Sequence, residues 1–386
     1  CLYNSSGLNM STESLKYFIV AGEPSGDLHG GKLIQAIQNI NPNTSFMGHG
    51  GNAMKAAGMQ ILEHTDDLAM MGFVEVIKHL PRMMKIMGRT IDTISRMKPD
   101  RIILIDYPGF NLRLAKRIHS LKIPITYFIL PQVWAWKEKR VETMKTVLDQ
   151  SLSIFPFEEE WFDSHGLATT YVGHPFAELE HLDEASKEFY QRHNLSIEYP
   201  VLVLLPGSRQ QEIDRHWPVF LNAVESIKKI IPDLQVMVGK ASNVTINSIP
   251  DYFRIETNAR KAMIAGTAAL VSSGTATLEC AVEDTPMIVC YKLSSISWIM
   301  AKYLTHIKYA SMVNLIANKK IVPELLQDDM TSTNIVEAVL PLLDSKNIKR
   351  KKMLAGFDIV RKNLGLPGVY NRAATAILSQ IKEHDD

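Results

Sequence analysis

Short apolar runs, each followed by glycine or a polar turn, recur along the 386-residue chain. Most of them lack the alternation of a half-exposed strand, which predicts strands covered on both faces, as in parallel sheets. The predicted strands are residues 17–20, 101–105, 125–130, 151–155, 201–205, 234–238, 268–271 and 287–290.

Stretches of helical periodicity separate these strands, for example at 31–40, 110–120 and 219–231. Alternation of strands and helices predicts βαβ units, and the pattern restarts at residue 201. We therefore expect an α/β protein with two Rossmann-like domains facing a central cleft. The predicted parts are a first domain at 14–176, a second domain at 177–362 and a C-terminal helix at 363–386.

The amino-acid composition and net charge limit the classes of protein to which this chain can belong. Hydrophobic residues make up 46% and charged residues 22%, with a net charge of +1, which indicates a globular chain without a nucleic-acid partner. Three cysteines do not form a disulfide framework, so we expect a cytoplasmic compartment. No apolar run approaches the ~20 residues of a spanning helix, and residues 1–13 lack the features of a signal peptide.

The loop at 22–27 follows the first predicted strand and precedes a helix. It is either a tight turn with a helix cap or a loop that lines the cleft, since ligands bind beyond the carboxyl ends of parallel strands. On the second interpretation the substrate-binding residues are Glu23, Ser25, Gly26 and Asp27.

Asp106 directly follows the apolar strand at 101–105. It is either a helix N-cap or a general base that opens on the cleft, and we predict the base. Asn111, at the end of the same loop, is predicted to bind substrate. Trp134 and Trp136 follow the next strand and form either ordinary packing or an apolar wall for a sugar or acyl chain.

The second half contains two candidate phosphate loops. Arg209 can donate two parallel hydrogen bonds to a phosphate, although it can also pair with Glu212. The Ser/Gly/Thr run at 272–277 opens a helix whose backbone N–H groups can hold a pyrophosphate without a metal. Neither metal-ligand spacing nor a cofactor motif is present, so we expect no metal and no cofactor. The predicted nucleotide-binding residues are Gly207, Ser208, Arg209, Ser273, Gly274, Thr275 and Glu279.

The segment 70–89 carries an apolar, methionine-rich stripe opposite a basic face. Such a helix either packs on the core or lies on an anionic membrane. Pro81 would kink or divide it. The predicted membrane contacts are Phe73, Val76, Ile77, Leu80 and Met84.

Eight motifs occur in an order that resembles the lipid-A-disaccharide synthase family. They lie at 22–27 (GEPSGD), 71–76 (MGFVEV), 105–111 (IDYPGFN), 131–136 (PQVWAW), 173–175 (GHP), 205–209 (LPGSR), 273–279 (SGTATLE) and 309–317 (YASMVNLIA). The sequence departs from the family pattern at Gly109, where some members carry an acid, and at Val313, which replaces a proline.

The resemblance implies an inverting glycosyltransferase of the GT-B type, with Asp106 and Arg209 as its catalytic residues. The donor would be UDP-2,3-diacylglucosamine and the acceptor 2,3-diacylglucosamine 1-phosphate. The products would be a β-1,6-linked disaccharide 1-phosphate and UDP. It also implies that residues 14–176 form the acceptor and membrane-facing domain, that residues 177–362 form the UDP-sugar donor domain, and that the C-terminal helix at 363–386 returns to the first domain. It further implies peripheral attachment to the cytoplasmic face of the inner membrane and a substrate-positioning role for Asn314. The oligomeric state stays open.

Two alternatives remain at this point. A related GT-B enzyme, such as a UDP-GlcNAc 2-epimerase, would share the nucleotide half without needing a membrane helix. A sugar-nucleotide-binding protein or peripheral scaffold without catalysis belongs to another class, and the placement of Asp106 at a strand end argues against it.

Overall fold

A computed structural model describes residues 14–69, 76–180, 182, 185–241, 244–293 and 308–382. The chain divides into two compact units, Cys1–Pro175 with Leu366–Asp386, and Phe176–Gly365. Each unit is a parallel sheet with helices between its strands, so the prediction of two Rossmann-like domains is confirmed.

The first unit contains a seven-stranded parallel sheet of order β3-β2-β1-β4-β5-β6-β7. Its strands are β1 Leu15–Ala21, β2 Thr44–Gly50, β3 Gln60–His64, β4 Arg101–Ile105, β5 Ile125–Phe128, β6 Gln150–Ser153 and β7 Thr170–Tyr171. Its helices are α1 Pro24–Ile40, α2 Asn52–Ala56, α3 Thr65–Ala69, α4 Val76–Met97, α5 Pro108–Ile118, α6 Val133–Trp136, α7 Arg140–Val147 and α8 Glu158–Ser164.

The second unit contains a six-stranded parallel sheet of order β10-β9-β8-β11-β12-β13. Its strands are β8 Val201–Leu205, β9 Gln235–Gly239, β10 Arg254–Glu256, β11 Ala268–Val271, β12 Met287–Tyr291 and β13 Glu324–Leu326. Its helices are α9 Lys187–Arg192, α10 Gln210–Ile230, α11 Ala259–Ala265, α12 Thr275–Val282, α13 Met312–Ala317, α14 Ser332–Leu343 and α15 Ile348–Leu364.

The last helix, α16 (Val369–Lys382), packs against α1 in the first unit. The guanidinium of Arg372 donates to the carbonyl of Val172 at 2.8 Å, and the side chain of Gln150 donates to the carbonyl of Ala376 at 2.7 Å. These bonds fix the helix to the strand end of β7 and to β6, so the end of the chain completes the first unit.

The central strands are apolar because helices cover both of their faces. Every residue of β4, β8 and β11 is buried, which explains why all of them except Arg101 at the start of β4 are hydrophobic. In both sheets the strand order reverses at one place, between β1 and β4 in the first unit and between β8 and β11 in the second. The loops after such strands diverge and leave a crevice where ligands of open α/β sheets bind.

Candidate functional site

Asp106 follows β4 in a backbone conformation that few side chains adopt. Its φ is 45°, and that of Tyr107 is 49°, so two successive residues are left-handed. The backbone N–H of Asp106 donates to the carbonyl of Phe128 at 3.2 Å. Its own carbonyl accepts bonds from the hydroxyl of Tyr127 at 2.5 Å and the amide of Asn111 at 2.8 Å. Surrounding contacts thus hold a costly turn in place, as is typical of functional sites.

The carboxylate of Asp106 is partly exposed at the crevice between β1 and β4. Burial and the nearby charge of Glu23 raise the pKa of Asp106 to about 6, against a smaller opposite effect of a hydrogen bond from the backbone of Tyr107. The alternative that Asp106 caps α5 is wrong, because Tyr107 is the N-cap residue and no side chain caps the helix. The carboxylate is therefore available for a proton close to neutral pH.

The loop after β1 lies beside this turn. A Cβ on Gly22 would come within 2.2 Å of the Tyr107 ring, so only glycine allows the two loops this approach. Glu23 and Ser25 are exposed and Gly26 is buried. The predicted loop is shorter than expected, because α1 already begins at Pro24, whose fixed φ suits the first helical position.

Two residues predicted to bind substrate have internal roles instead. Asp27 is buried, and its carboxylate accepts backbone N–H bonds from Gly51 at 2.6 Å, Ala53 at 2.9 Å and Met54 at 3.0 Å. Asn111 is fully buried below Asp106. The structure therefore assigns Asp27 to the start of α2 and Asn111 to the turn that carries Asp106.

Trp134 lies in α6 with its indole partly exposed. Its N–H donates to the carboxylate of Glu158 at 3.0 Å, and its ring contacts Phe157 edge-on at 5.0 Å between centroids. Glu158 is fully buried, and burial raises its pKa to about 7. A polar anchor thus fixes the orientation of the indole, while part of its face stays accessible.

In the second unit, the loop after β8 folds around the carboxylate of Glu212. That carboxylate accepts backbone N–H bonds from Ser208 at 3.0 Å and Arg209 at 3.3 Å, and a bond from the hydroxyl of Tyr291 at 3.3 Å. Gly207 has a φ of +136°, and a Cβ there would lie 2.5 Å from Glu212. The glycine and the buried glutamate together set the shape of this loop.

The side chain of Arg209 remains available to a ligand. Its guanidinium lies 3.5 Å from Glu212, so the alternative pairing exists, but the side chain is 78% exposed. A pair at this distance and exposure holds the side chain weakly. Arg209 can therefore turn to a phosphate without loss of a strong internal contact.

The N-terminus of α12 lies next to this loop. β11 pairs with β8, and the backbone N–H of Ser272 donates to the carbonyl of Leu205 at 2.9 Å. Gly274 is the exposed N-cap residue without a side-chain cap, and a Cβ on it would meet no other atom within 4 Å. Thr275 is exposed and Ser273 is partly exposed. The first N–H groups of a helix lack internal partners and attract anions, so Arg209 and this terminus have the chemistry that a phosphate site requires.

Glu279 lies one turn into α12 and is partly buried, which raises its pKa. Asn314, by contrast, is fully buried, and its amide oxygen accepts backbone bonds from Ile321 at 2.6 Å and Val322 at 2.9 Å. Its amide nitrogen donates to Glu324 at 2.8 Å. The implied contact of Asn314 with substrate is therefore replaced by a structural role in the loop before β13.

Helix α4 runs from Val76 to Met97 without division at Pro81. Met84 is 50% exposed, whereas Ile86 and Met87 are buried in the core. The predicted contact Phe73 lies outside the described residues, as do the side chains of Val76, Ile77 and Leu80. The described half of α4 thus combines core packing with one exposed methionine.

Other residues fix the loops of the site in place, but the sequence alone did not indicate this role. His216 is fully buried, with Nδ1 2.7 Å from the carbonyl of Pro206 and Nε2 accepting the backbone N–H of Lys292 at 3.0 Å. Burial lowers the pKa of His216, so a neutral ring with its proton on Nδ1 joins the loop after β8 to the end of β12. Tyr127 and Glu212 act in the same way, and only their tertiary contacts reveal it.

Neither a spanning segment nor a metal cluster is found in the part of the chain that the structure describes. No helix there is long and apolar enough to cross a bilayer. No group of three or more His, Cys, Asp or Glu side chains among the same residues could hold a metal ion.

Two curated relatives resemble this chain over nearly its whole length. A lipid-A-disaccharide synthase from Solibacter usitatus (strain Ellin6076) is 38% identical over 368 residues, covering 94% of this chain and 96% of the relative. A similar enzyme from Myxococcus xanthus (strain DK1622) is 36% identical over 378 residues, covering 96% and 98%.

Solved structures establish the fold class. The glycosyltransferase of kitacinnamycin superposes with a TM-score of 0.66 at 13% identity, covering 95% of this chain and 99% of that one. A UDP-GlcNAc 2-epimerase from Methanocaldococcus jannaschii, in complex with UDP-GlcNAc and UDP, superposes with a TM-score of 0.56 at 13% identity, covering 90% and 99%. At this identity the likeness shows the fold alone, so the epimerase alternative gains no support from it.

The family model described as lipid-A-disaccharide synthetase matches residues 17–374. The predicted resemblance is confirmed, and the chain belongs to the lipid-A-disaccharide synthase family of glycosyltransferases.

Proposed function

We propose that this chain transfers 2,3-diacylglucosamine from UDP to the 6-hydroxyl of 2,3-diacylglucosamine 1-phosphate. Family membership supports the type of reaction. The single observation that carries the mechanism is Asp106, a carboxylate with a pKa of about 6 at the reversal point of the first sheet. A general base is most effective when its pKa lies near the working pH.

In the proposed reaction Asp106 accepts the proton of the acceptor hydroxyl. A carboxyl group with a pKa of about 6 is roughly nine-tenths ionised at pH 7, so the base is ready without an activating partner. The hydroxyl oxygen forms a bond to the anomeric carbon while the bond from that carbon to the phosphate oxygen breaks. One displacement inverts the configuration, and UDP leaves with the bonding electron pair.

Negative charge that grows on the leaving phosphate needs electrostatic stabilisation. We assign this to the exposed guanidinium of Arg209 and to the backbone N–H groups at the start of α12, near Gly274 and Thr275. Donors fixed in place before the reaction stabilise the transition state more than the ground state. Gly207 and Ser208 would shape the loop, and Glu279 would accept bonds from ribose. The hydroxyl of Ser273, which donates to the carbonyl of Ala310 at 3.1 Å, would turn to donate to the phosphate instead.

On the acceptor side, we assign Glu23 and Ser25 to the sugar because both are exposed at the start of α1 and the charge of Glu23 acts on Asp106. Gly26 supports them by allowing a close approach to Ala21, where a Cβ would lie 3.2 Å from the alanine methyl group. The indole of Trp134 would cover an apolar sugar face or the start of an acyl chain.

We further propose peripheral attachment to the cytoplasmic face of the inner membrane. The exposed Met84 and Lys85 of α4 support this, since an apolar stripe with basic neighbours suits an anionic bilayer. Two other basic residues of α4 are tied to their own unit, Arg82 to Asp67 at 3.0 Å and Arg89 to Glu63 at 2.8 Å. The proposed contact therefore depends on the first part of the helix.

The test is a product assay with purified protein. Incubation with radiolabelled UDP-2,3-diacylglucosamine and the acceptor should yield a labelled disaccharide 1-phosphate and one UDP for each bond formed. The same protein incubated with UDP-GlcNAc alone should yield no epimer. Epimer formation without disaccharide would overturn the proposal, and binding of UDP without either product would identify a non-catalytic protein.

A further inference from the structure

The second unit contains an open cleft of about 720 Å³ away from the phosphate-binding loops. Its walls are the segment 319–323 before β13, helix α14 and helix α15. The volume lies within the range of small-molecule sites. None of the residues assigned to the reaction lines this cleft.

The lining combines an apolar floor with a basic rim. Ile321, which is partly exposed, and Ile359, which is exposed, supply aliphatic surface, and the buried side chains of Val322, Leu342 and Met353 lie beneath it. Gly356 brings α15 against Ile321, since a Cβ there would come within 2.5 Å of that side chain. The rim carries four exposed lysines and no acidic residue, Lys319, Lys320, Lys349 and Lys352.

These four ammonium groups lack charge partners in the described part of the chain, where none of them forms a side-chain ion pair or hydrogen bond. Lys349 and Lys352 lie one turn apart on α15, in line with Gly356 and Ile359. Next to the rim, Ile348 is 61% exposed and Ile359 is 41% exposed. Exposed aliphatic side chains between lysines are typical of surfaces that lie at a bilayer interface.

We propose that this cleft binds an anionic phospholipid of the bilayer surface. The phosphate would lie among the four lysines, and the upper part of an acyl chain would lie on the apolar floor. Charge complementarity supports this occupant, because basic pockets with apolar walls bind anionic head groups. The cleft offers no aromatic ring to stack on a base, so a nucleotide fits it poorly. The inference is independent of the proposed reaction.

The test uses the full chain and two matched pairs of substitutions. Lys349→Gln with Lys352→Gln removes two charges from the rim. Lys346→Gln with Lys351→Gln removes two exposed charges from the same region outside the cleft. With soluble short-chain phosphatidylglycerol in calorimetry, the rim pair should bind about 30-fold more weakly than the unaltered chain, and the control pair should bind nearly normally.

A third variant tests the apolar floor without a change of charge. Ala355→Trp places an indole in the cleft and should weaken binding of the short-chain lipid, with an unchanged thermal melt to show that the fold is kept.

Inorganic phosphate and short-chain phosphatidylcholine should bind far more weakly than phosphatidylglycerol. Equal losses in both lysine pairs, or binding of phosphate alone as tight as that of the lipid, would overturn the proposal. A change of oligomeric state in Ala355→Trp without loss of lipid binding would assign the cleft to a second copy of the chain instead. The rim variants are also assayed for disaccharide formation with dispersed substrates. This assay distinguishes a failure of the lipid-binding proposal from a failure of the proposed reaction.

Discussion

The hydroxyl of Tyr127 donates a hydrogen bond of 2.5 Å to the main-chain carbonyl of Asp106, and both the ring and the bond lie inside the first unit. Together with Asn111, this contact fixes the left-handed turn that presents the carboxylate. Tyr127 does not reach the crevice itself, so it acts as a positioning residue for the proposed base.

Substitution Tyr127→Phe should therefore lower turnover with little change in affinity for UDP. It removes one of two bonds to a partly buried carbonyl, which Asn111 still satisfies, so the expected cost is about 0.5–1.5 kcal/mol of unfolding free energy. Tyr17→Phe is the matched control, because the hydroxyl of Tyr17 is buried without a hydrogen-bond partner among the described residues. Thermal melts and steady-state kinetics of both variants provide the measurement. Equal effects of the two substitutions would remove Tyr127 from the positioning role.

The pH dependence of the rate reports on the pair Asp106 and Glu23. A base must be deprotonated, so kcat/KM should fall about tenfold per pH unit below a midpoint near 6. The charge of Glu23 raises the pKa of Asp106, so Glu23→Gln should move this midpoint to lower pH. Ser25→Ala, a neutral change in the same loop, should leave the midpoint in place. If the midpoint is unchanged in Glu23→Gln, a group other than Asp106 controls the pH dependence of the rate.

The raised pKa of Asp106 also predicts how the stability of the folded protein depends on pH. The folded-state pKa of Asp106 lies above its ordinary value, so the folded protein holds this proton more tightly than the unfolded chain. This contribution favours folding below the ordinary value of about 3.8 and is lost as pH rises through 6. Asp106→Asn should therefore leave the melting temperature unchanged or higher at pH 7, and a lower one would contradict the account.

Arg209→Ala should weaken UDP binding and slow the chemical step as well, since charge on the phosphate grows in the transition state. Arg209→Lys should restore little, because an ammonium group cannot donate two parallel bonds. Arg192→Ala, at an exposed position of the same unit, is the control. Calorimetry with UDP and single-turnover kinetics are the measurements, and unchanged affinity with normal turnover would refute the assignment.

The segment 70–89 contains proposed membrane contacts and, at Ile86, a position that is buried in the core. Replacing Phe73, Ile77 and Leu80 together with Ser should keep the fold and release the protein from anionic vesicles, because we place these side chains on the bilayer. Ile86→Ser, at a buried position, should instead cost roughly 2–5 kcal/mol. The measurements are thermal melts beside vesicle sedimentation. A strongly lowered melting temperature of the triple variant would show that the whole stripe packs in the core.

The strands that could be predicted are those buried on both faces. Residues 101–105, 201–205 and 268–271 coincide with β4, β8 and β11, because complete burial leaves an apolar sequence. The missed strands β3, β7, β10 and β13 all lie at sheet edges. Edge strands are short and half-exposed, so polar residues interrupt their sequences. In β2, the fifth missed strand, Gly48 and Gly50 interrupt the apolar pattern.

The site could be predicted only as far as strand ends reveal it. Asp106 stands directly after an apolar run and Arg209 stands four residues after one, and parallel topology places such residues at a crevice. Asp27 and Asn314 also lie in motifs of the family pattern but are turned inward, toward the start of α2 and the loop before β13. The direction of a side chain depends on tertiary contacts, which motif spacing does not contain.

The most direct test of the account is the turnover of Asp106→Asn, measured as labelled disaccharide formed per enzyme at saturating substrates and pH 7. Asp92→Asn, at an exposed position of α4, is the matched control. We predict a loss of about 10²–10⁴-fold in the first variant with UDP affinity intact, and normal turnover in the control. Retention of more than about half of the unaltered rate by a correctly folded Asp106→Asn protein would contradict the assignment of Asp106 as the base.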